Sequence, residues 1–122
     1  MQTVTQPAVI AIASDTNERR SRTRIPCALE VRCCSLDGTE WPALAVNVSA
    51  HGARLVSFLS DPPPALEYVL LRNRKGFTVE VPARLVHAQG SRNLWMIGCQ
   101  FLNPLSDVDL AKLVPSSARR RL

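Results

Sequence analysis

The sequence predicts an all-β fold, a small antiparallel barrel with one helix at its C-terminal end, within a chain of 122 residues. Three observations predict it. From Cys27 onward, apolar and polar residues alternate in short runs, the period of strands that bury one face. Turn residues separate these runs at short, regular intervals, as the strands of a barrel require. Helix-start chemistry appears after the last of them, at Ser106.

The elements follow in order. Residues 1–16 are small, polar and aperiodic and are expected to form a flexible arm. Leu29, Val31 and Cys33 alternate with Glu30 and Arg32, a half-buried first strand. Leu36-Asp37-Gly38-Thr39 has turn chemistry. Trp41 to Val48 gives a second strand and Ala53 to Phe58 a third. Asp61-Pro62-Pro63-Pro64 is a loop, because proline lacks the donor that a ladder needs. Leu66 to Arg72 is a fourth strand, followed by a hairpin turn at Asn73-Arg74-Lys75-Gly76. Phe77, Val79, Val81, Ala83 and Leu85 mark a fifth, in which Pro82 predicts an edge or a bulge. Gln89 to Asn93 is expected to turn the chain into a sixth strand, with Trp95, Ile97, Cys99 and Phe101 on one face. Ser106 is the expected N-cap of a helix with acidic residues in its first turn. Val108, Leu110, Leu113 and Val114 supply its apolar face, Pro115 ends it, and it should cover one barrel opening.

Composition bounds the function. One domain is expected at this length, since domains run to about 100–200 residues. Hydrophobic residues make up 46% and aromatics 5%, so the core must be aliphatic. Fifteen Lys and Arg against 10 Asp and Glu give a formal charge of +5, and arginines cluster at Arg19 to Arg24 and Arg119 to Arg121. Clustered arginine favours anionic partners. No stretch approaches the ~20 apolar residues of a membrane-spanning helix, and Met1 to Ala13 has no basic residue to open a signal peptide. A cytoplasmic protein without membrane insertion is therefore expected. Cys27, Cys33, Cys34 and Cys99 lack metal-binding spacing and are expected as reduced thiols.

Two short motifs carry the chemistry. Arg20 and Arg24 place guanidinium groups four residues apart, and Asn47, Ser49 and Gly52 follow at a strand–turn–strand corner. Guanidinium forks bind phosphate bidentately and also fit the O6/N7 edge of guanine. Asn and Ser add directional hydrogen bonds, and two apart on a strand they face the same side. Gly52 is expected to serve a positive-φ turn. Such a set suits an anionic, purine-bearing small molecule. No Gly-rich phosphate loop, metal pattern or Ser/His/Asp order accompanies it, so catalysis is not expected.

RxxxR at Arg20–Arg24 followed by (D/N)xSxxG at Asn47–Gly52 resembles the PilZ family of bacterial cyclic di-GMP receptors. Ile25-Pro26 after the first motif and Ile97-Gly98-Cys99-Gln100-Phe101 as a closing strand fit the same pattern. The resemblance covers residues 17–114 and leaves 115–122 as a basic tail. It implies a six-stranded antiparallel barrel of PilZ type that binds cyclic di-GMP through Arg20, Arg24, Asn47, Ser49 and Gly52. It also implies a motility, secretion or polysaccharide-synthesis effector protein as partner. Arg19, directly before RxxxR, is a further ligand residue: an arginine there tends in the family to accompany two intercalated cyclic di-GMP molecules. Arg22, His51 and Trp95 are open positions. Trp41 and Trp95 are candidate stacking platforms for purines, although their strand positions favour core or barrel-rim packing. The alternative from composition alone is a small basic barrel binding RNA or single-stranded DNA. Against it, no stripe of aromatics interleaved with Lys and Arg is present.

Overall fold

The computed structural model describes residues 24–115, apart from the side chain of Ser91. The arm at 1–16, Arg19, Arg20, Arg22 and the tail beyond Pro115 lie outside the described residues.

The strands are β1 (Ile25–Ser35), β2 (Glu40–Ser49), β3 (Gly52–Ser57), β4 (Leu66–Arg72), β5 (Thr78–Ser91) and β6 (Leu94–Phe101), followed by the helix α1 (Asp107–Leu113). They close into a barrel in the order β1-β2-β3-β6-β5-β4, antiparallel at every ladder. Alternation does what it predicts. Leu29, Val31, Cys33, Leu55, Val69, Leu71, Val81 and Ile97 point inward and are buried, while Glu30, Arg32, Arg54 and Glu80 point out. The core is aliphatic apart from Trp41, Phe101 and the thiols of Cys33 and Cys99, with Trp95 and Phe77 packed at its margin. Trp41 Nε1 donates to Ser35 Oγ at 2.9 Å, which satisfies both buried polar groups.

Three local expectations change. β5 does not stop before Gln89. It continues to Ser91, and the turn is only Arg92-Asn93, both at positive φ (53° and 69°). Two consecutive positive-φ residues form the two-residue hairpin turn whose twist matches that of the flanking strands. Gly90, which reads as turn chemistry, lies instead beneath the Trp95 indole: a Cβ there would come within 2.3 Å of the ring. Trp95 Nε1 donates to Leu59 O at 3.2 Å and ties the β3–β4 loop to this end. Pro82 is neither an edge nor the bulge itself. It is the last residue of β5 opposite β4, and Ala83 is the first opposite β6. The ladder thus changes partner where a donor is missing, and the β5 bulge falls later, between Leu85 and His87.

Helix α1 starts as expected, with Ser106 Oγ accepting from Asp109 N at 3.0 Å. Its apolar face is narrower than predicted: Leu113 and Val114 are buried with Leu105, whereas Val108 faces solvent. Seven residues make two turns, too few to bury four positions spread around the axis. The helix sits at the end of the barrel where β1 begins. Asn73 Nδ2 donates to Lys112 O at 2.7 Å, and the Lys112 ammonium lies 5.4 Å from the centre of the Phe77 ring. Among the described residues no helix is long and apolar enough to cross a membrane.

Candidate functional site

The start of β1 and the corner between β2 and β3 lie at this same end of the barrel. Ile25 pairs with Val48, Pro26 with Asn47, and Ser49 with Gly52. Ladder register therefore brings the second arginine of RxxxR beside the asparagine of the other motif. Arg24 Nη1 donates to Asn47 Oδ1 at 3.2 Å, across 23 residues of sequence.

A bulge sets the direction of Asn47. Ala45 is wholly buried, so a regular strand would aim Asn47, two residues on, at the core as well. Val46 is an extra residue between the Ala45↔Leu55 and Asn47↔Arg54 pairs. It shifts the phase by one, turning Asn47 outward beside exposed Arg54 and Val48 inward to full burial. Bulges of this kind re-aim side chains next to functional sites.

Ser49 shares the phase of Asn47, but its side chain is only 1% exposed. Its Oγ accepts from His51 N at 3.1 Å and so holds the turn. The paired reading of Asn47 and Ser49 thus divides: the amide meets an arginine, and the hydroxyl meets the backbone. His51 is half-buried, and its carbonyl accepts from Phe101 N at 2.8 Å. The neighbouring Ala50 O accepts from Leu105 N at 2.7 Å.

Gly52 is a correction. Positive φ occurs at Gly38 and Gly76, at two other turns, and not at Gly52. What requires a glycine at position 52 is proximity: a Cβ would lie 2.5 Å from Cys99 O of β6. Sequence alone could not give this, because the close strand is nearly fifty residues away. Trp41 is buried and so offers no stacking face, whereas Trp95 is half-buried with its indole over Gly90.

Burial holds three of the four thiols in the protonated form. Burial pushes Cys99 up to about 12; an Ala53 backbone hydrogen bond and the Arg24 charge offset only part of that. Burial likewise raises Cys27 to about 11, and Cys33 further still. Protonated thiols are poor nucleophiles and poor metal ligands. Among the described residues, no cluster of His, Cys, Asp or Glu could hold a metal ion. A groove of about 560 Å³ crosses the outer face of β1, β2, β4 and β5, lined by Glu30, Arg32, Glu40 and Arg72 among others. Arg32 and Glu40 pair across it at 3.3 Å, so its charge is balanced and it is no counterpart of the arginine corner.

Register adds two positions that no sequence motif singles out for the site. Arg54 lies opposite Asn47, and Gly98 opposite Arg54.

The model of the PilZ domain family matches residues 18–118. The chain belongs to the PilZ domain family. Solved structures share its fold at low identity. The PilZ domain of YcgR from Escherichia coli, with c-di-GMP, is 14% identical at a TM-score of 0.60, over 84% of this chain and 93% of that one. The Bacillus subtilis inhibitor of motility, MotI/DgrA, is 16% identical at 0.58, over 82% and 49%. The K. pneumonia MrkH–c-di-GMP complex is 17% identical at 0.57, over 81% and 53%. The PilZ chain thus spans about half the length of the latter two. No curated protein matches it.

Proposed function

We propose that this PilZ domain is a cytoplasmic receptor for cyclic di-GMP that passes the ligand's concentration to an effector protein. The observation that carries the reading is the Arg24–Asn47 hydrogen bond, which joins the two motifs at one barrel end. Arg20 and Arg24 hold phosphates and guanine edges, Asn47 addresses a guanine, and Ser49 and Gly52 fix the corner that presents it. Arg19 extends the guanidinium set to a second ligand molecule, giving an intercalated pair. Binding, with no chemical step, is the output. The c-di-GMP named with the YcgR and MrkH structures supports the same ligand class here.

Calorimetry with cyclic di-GMP, against a single-stranded oligonucleotide at two salt concentrations, tests this. The expected result is saturable binding of cyclic di-GMP near two molecules per domain, and at most weak, salt-quenched oligonucleotide binding. Arg24→Ala should cost on the order of 2–4 kcal/mol of binding free energy, the range for truncating a charge-assisted contact, with the fold retained. Equal affinity for Arg24→Ala would remove Arg24 from the site. A ratio near one would remove the ligand pair, and tighter binding of the oligonucleotide would overturn the receptor reading.

A further inference from the structure

Three strand glycines of this domain differ in what their side-chain position meets. At Gly52 a Cβ would strike the Cys99 carbonyl, and at Gly90 the Trp95 ring. At Gly98 it would meet only His87 Cβ, at 3.7 Å, an ordinary contact. Packing therefore explains the first two and not the third. A glycine inside a strand weakens that strand and often marks a bulge, a tight bend or a close approach from outside. The bulge beside Gly98 has its extra residue, Val86, on β5 and not on the strand of Gly98.

The surroundings of Gly98 say what approaches. Its position points outward, between inward-facing Ile97 and Cys99. On one side in the ladder stands Arg54, on the other His87, and both side chains are exposed. Among the described residues the Arg54 side chain makes no hydrogen bond or ion pair. Beyond Arg54 comes Asn47, already bonded to Arg24. The outer face thus carries one continuous row, Asn47, Arg54, Gly98 and His87, each on a neighbouring strand. Two strand spacings, about 10 Å, separate the backbones that bear Arg54 and His87. Between them lies flat, open backbone, with a planar cation on one flank and an imidazole on the other.

We propose that Gly98 is the floor of a base shelf, on which one guanine of the ligand lies flat between Arg54 and His87, with the Arg54 guanidinium stacked on or bonded to the purine. This rests on the receptor reading above and adds to it three residues outside both motifs, Arg54, Gly98 and His87. The shelf suits a planar, electron-rich ring: guanidinium stacks on aromatic faces and its fork fits the guanine O6/N7 edge, whereas a Cβ branch at position 98 would stand where the ring must lie.

Calorimetry and thermal melting of the full chain and of Gly98→Val, Gly98→Ala and Arg54→Ala with cyclic di-GMP test the shelf. Gly98→Val should fold with a melting temperature equal to or above the wild type, since valine favours a strand and the site has room. Its affinity should nevertheless fall at least tenfold. Arg54→Ala should lose tenfold or more, and Gly98→Ala less than Gly98→Val. Wild-type binding with Gly98→Val and Arg54→Ala unchanged overturns the shelf and leaves the receptor standing. No binding by the wild type overturns both. Should Gly98→Val melt early, Arg54→Ala and Gly98→Ala decide: undiminished affinity in both refutes the proposal.

Discussion

Gly52→Ala is the substitution for which the structure makes the sharpest statement. The added methyl would sit 2.5 Å from Cys99 O and 3.5 Å from Cys99 C and Gln100 Cα, all backbone atoms of β6. No rotamer change relieves such a contact, so β3 and β6 must separate there. To reach about 3.4 Å, where ordinary contact begins, the shift is the difference from 2.5 Å, roughly 0.9 Å. That displacement stretches the ladder at Gly52↔Gln100 and strains the adjoining bond from Phe101 N to His51 O, now 2.8 Å. Overpacking a close-packed site costs about 1–3 kcal/mol. Replacing glycine where φ is not positive returns about 0.4–1 kcal/mol by restricting the unfolded chain. A net loss of about 1.3 kcal/mol lowers the melting temperature by about 5–10 °C for a domain of about 100 residues. Thermal melting by circular dichroism reads it, with Gly98→Ala as the control that adds the same methyl to open space. If Gly52→Ala melts within about 2 °C of the wild type, the close approach of β6 is not what fixes that glycine.

Other expectations concern stability and the thiols. Trp41→Phe removes the donor to Ser35 Oγ and leaves a buried hydroxyl unpaired, which should cost about 1–3 kcal/mol in urea denaturation. Arg92→Asn with Asn93→Gly installs the preferred pair for a two-residue turn with both φ positive, and should raise the unfolding free energy by about 1 kcal/mol in the same assay. The raised thiol pKa values give a pH dependence. Unfolded thiols lose protons near 9.0 while Cys27 and Cys99 hold theirs to about 11 and about 12. The folded state then binds more protons, so stability is full below pH 9 and falls as pH rises towards 12. Cys99→Ser should flatten that alkaline limb. For the same reason, a disulfide reagent at pH 7.5 should modify native Cys33 and Cys99 far more slowly than the denatured chain.

Most of the barrel is legible from period-two alternation, because each strand buries one face and exposes the other. The misreadings share a cause: they occur where a distant residue decides. Gly90 reads as turn chemistry until Trp95 is seen to lie on it, and only then does β5 run on to Ser91. Gly52 reads as a positive-φ position until β6 is placed beside it. Val108 fits a helical stripe that a seven-residue helix is too short to bury. In the candidate site the motif residues are legible as types, but their arrangement depends on register. The bulge at Val46 that turns Asn47 outward has no signature in the sequence, and Arg54 and Gly98 become neighbours of the site only once β3 and β6 are paired.

The corner between β2 and β3 is tied from three directions: Ser49 Oγ holds His51 N, Phe101 N holds the His51 carbonyl, and Leu105 N holds the Ala50 carbonyl. These bonds form when the chain folds, before any ligand arrives. The conformational entropy of the corner is thus lost once, in folding, and binding does not lose it again. Rigidity of this kind acts on discrimination as well as on affinity. A mobile loop can rearrange around a wrong base, whereas a corner held by its own backbone keeps Asn47 in one place and lets a mismatched partner bear the whole cost of the mismatch.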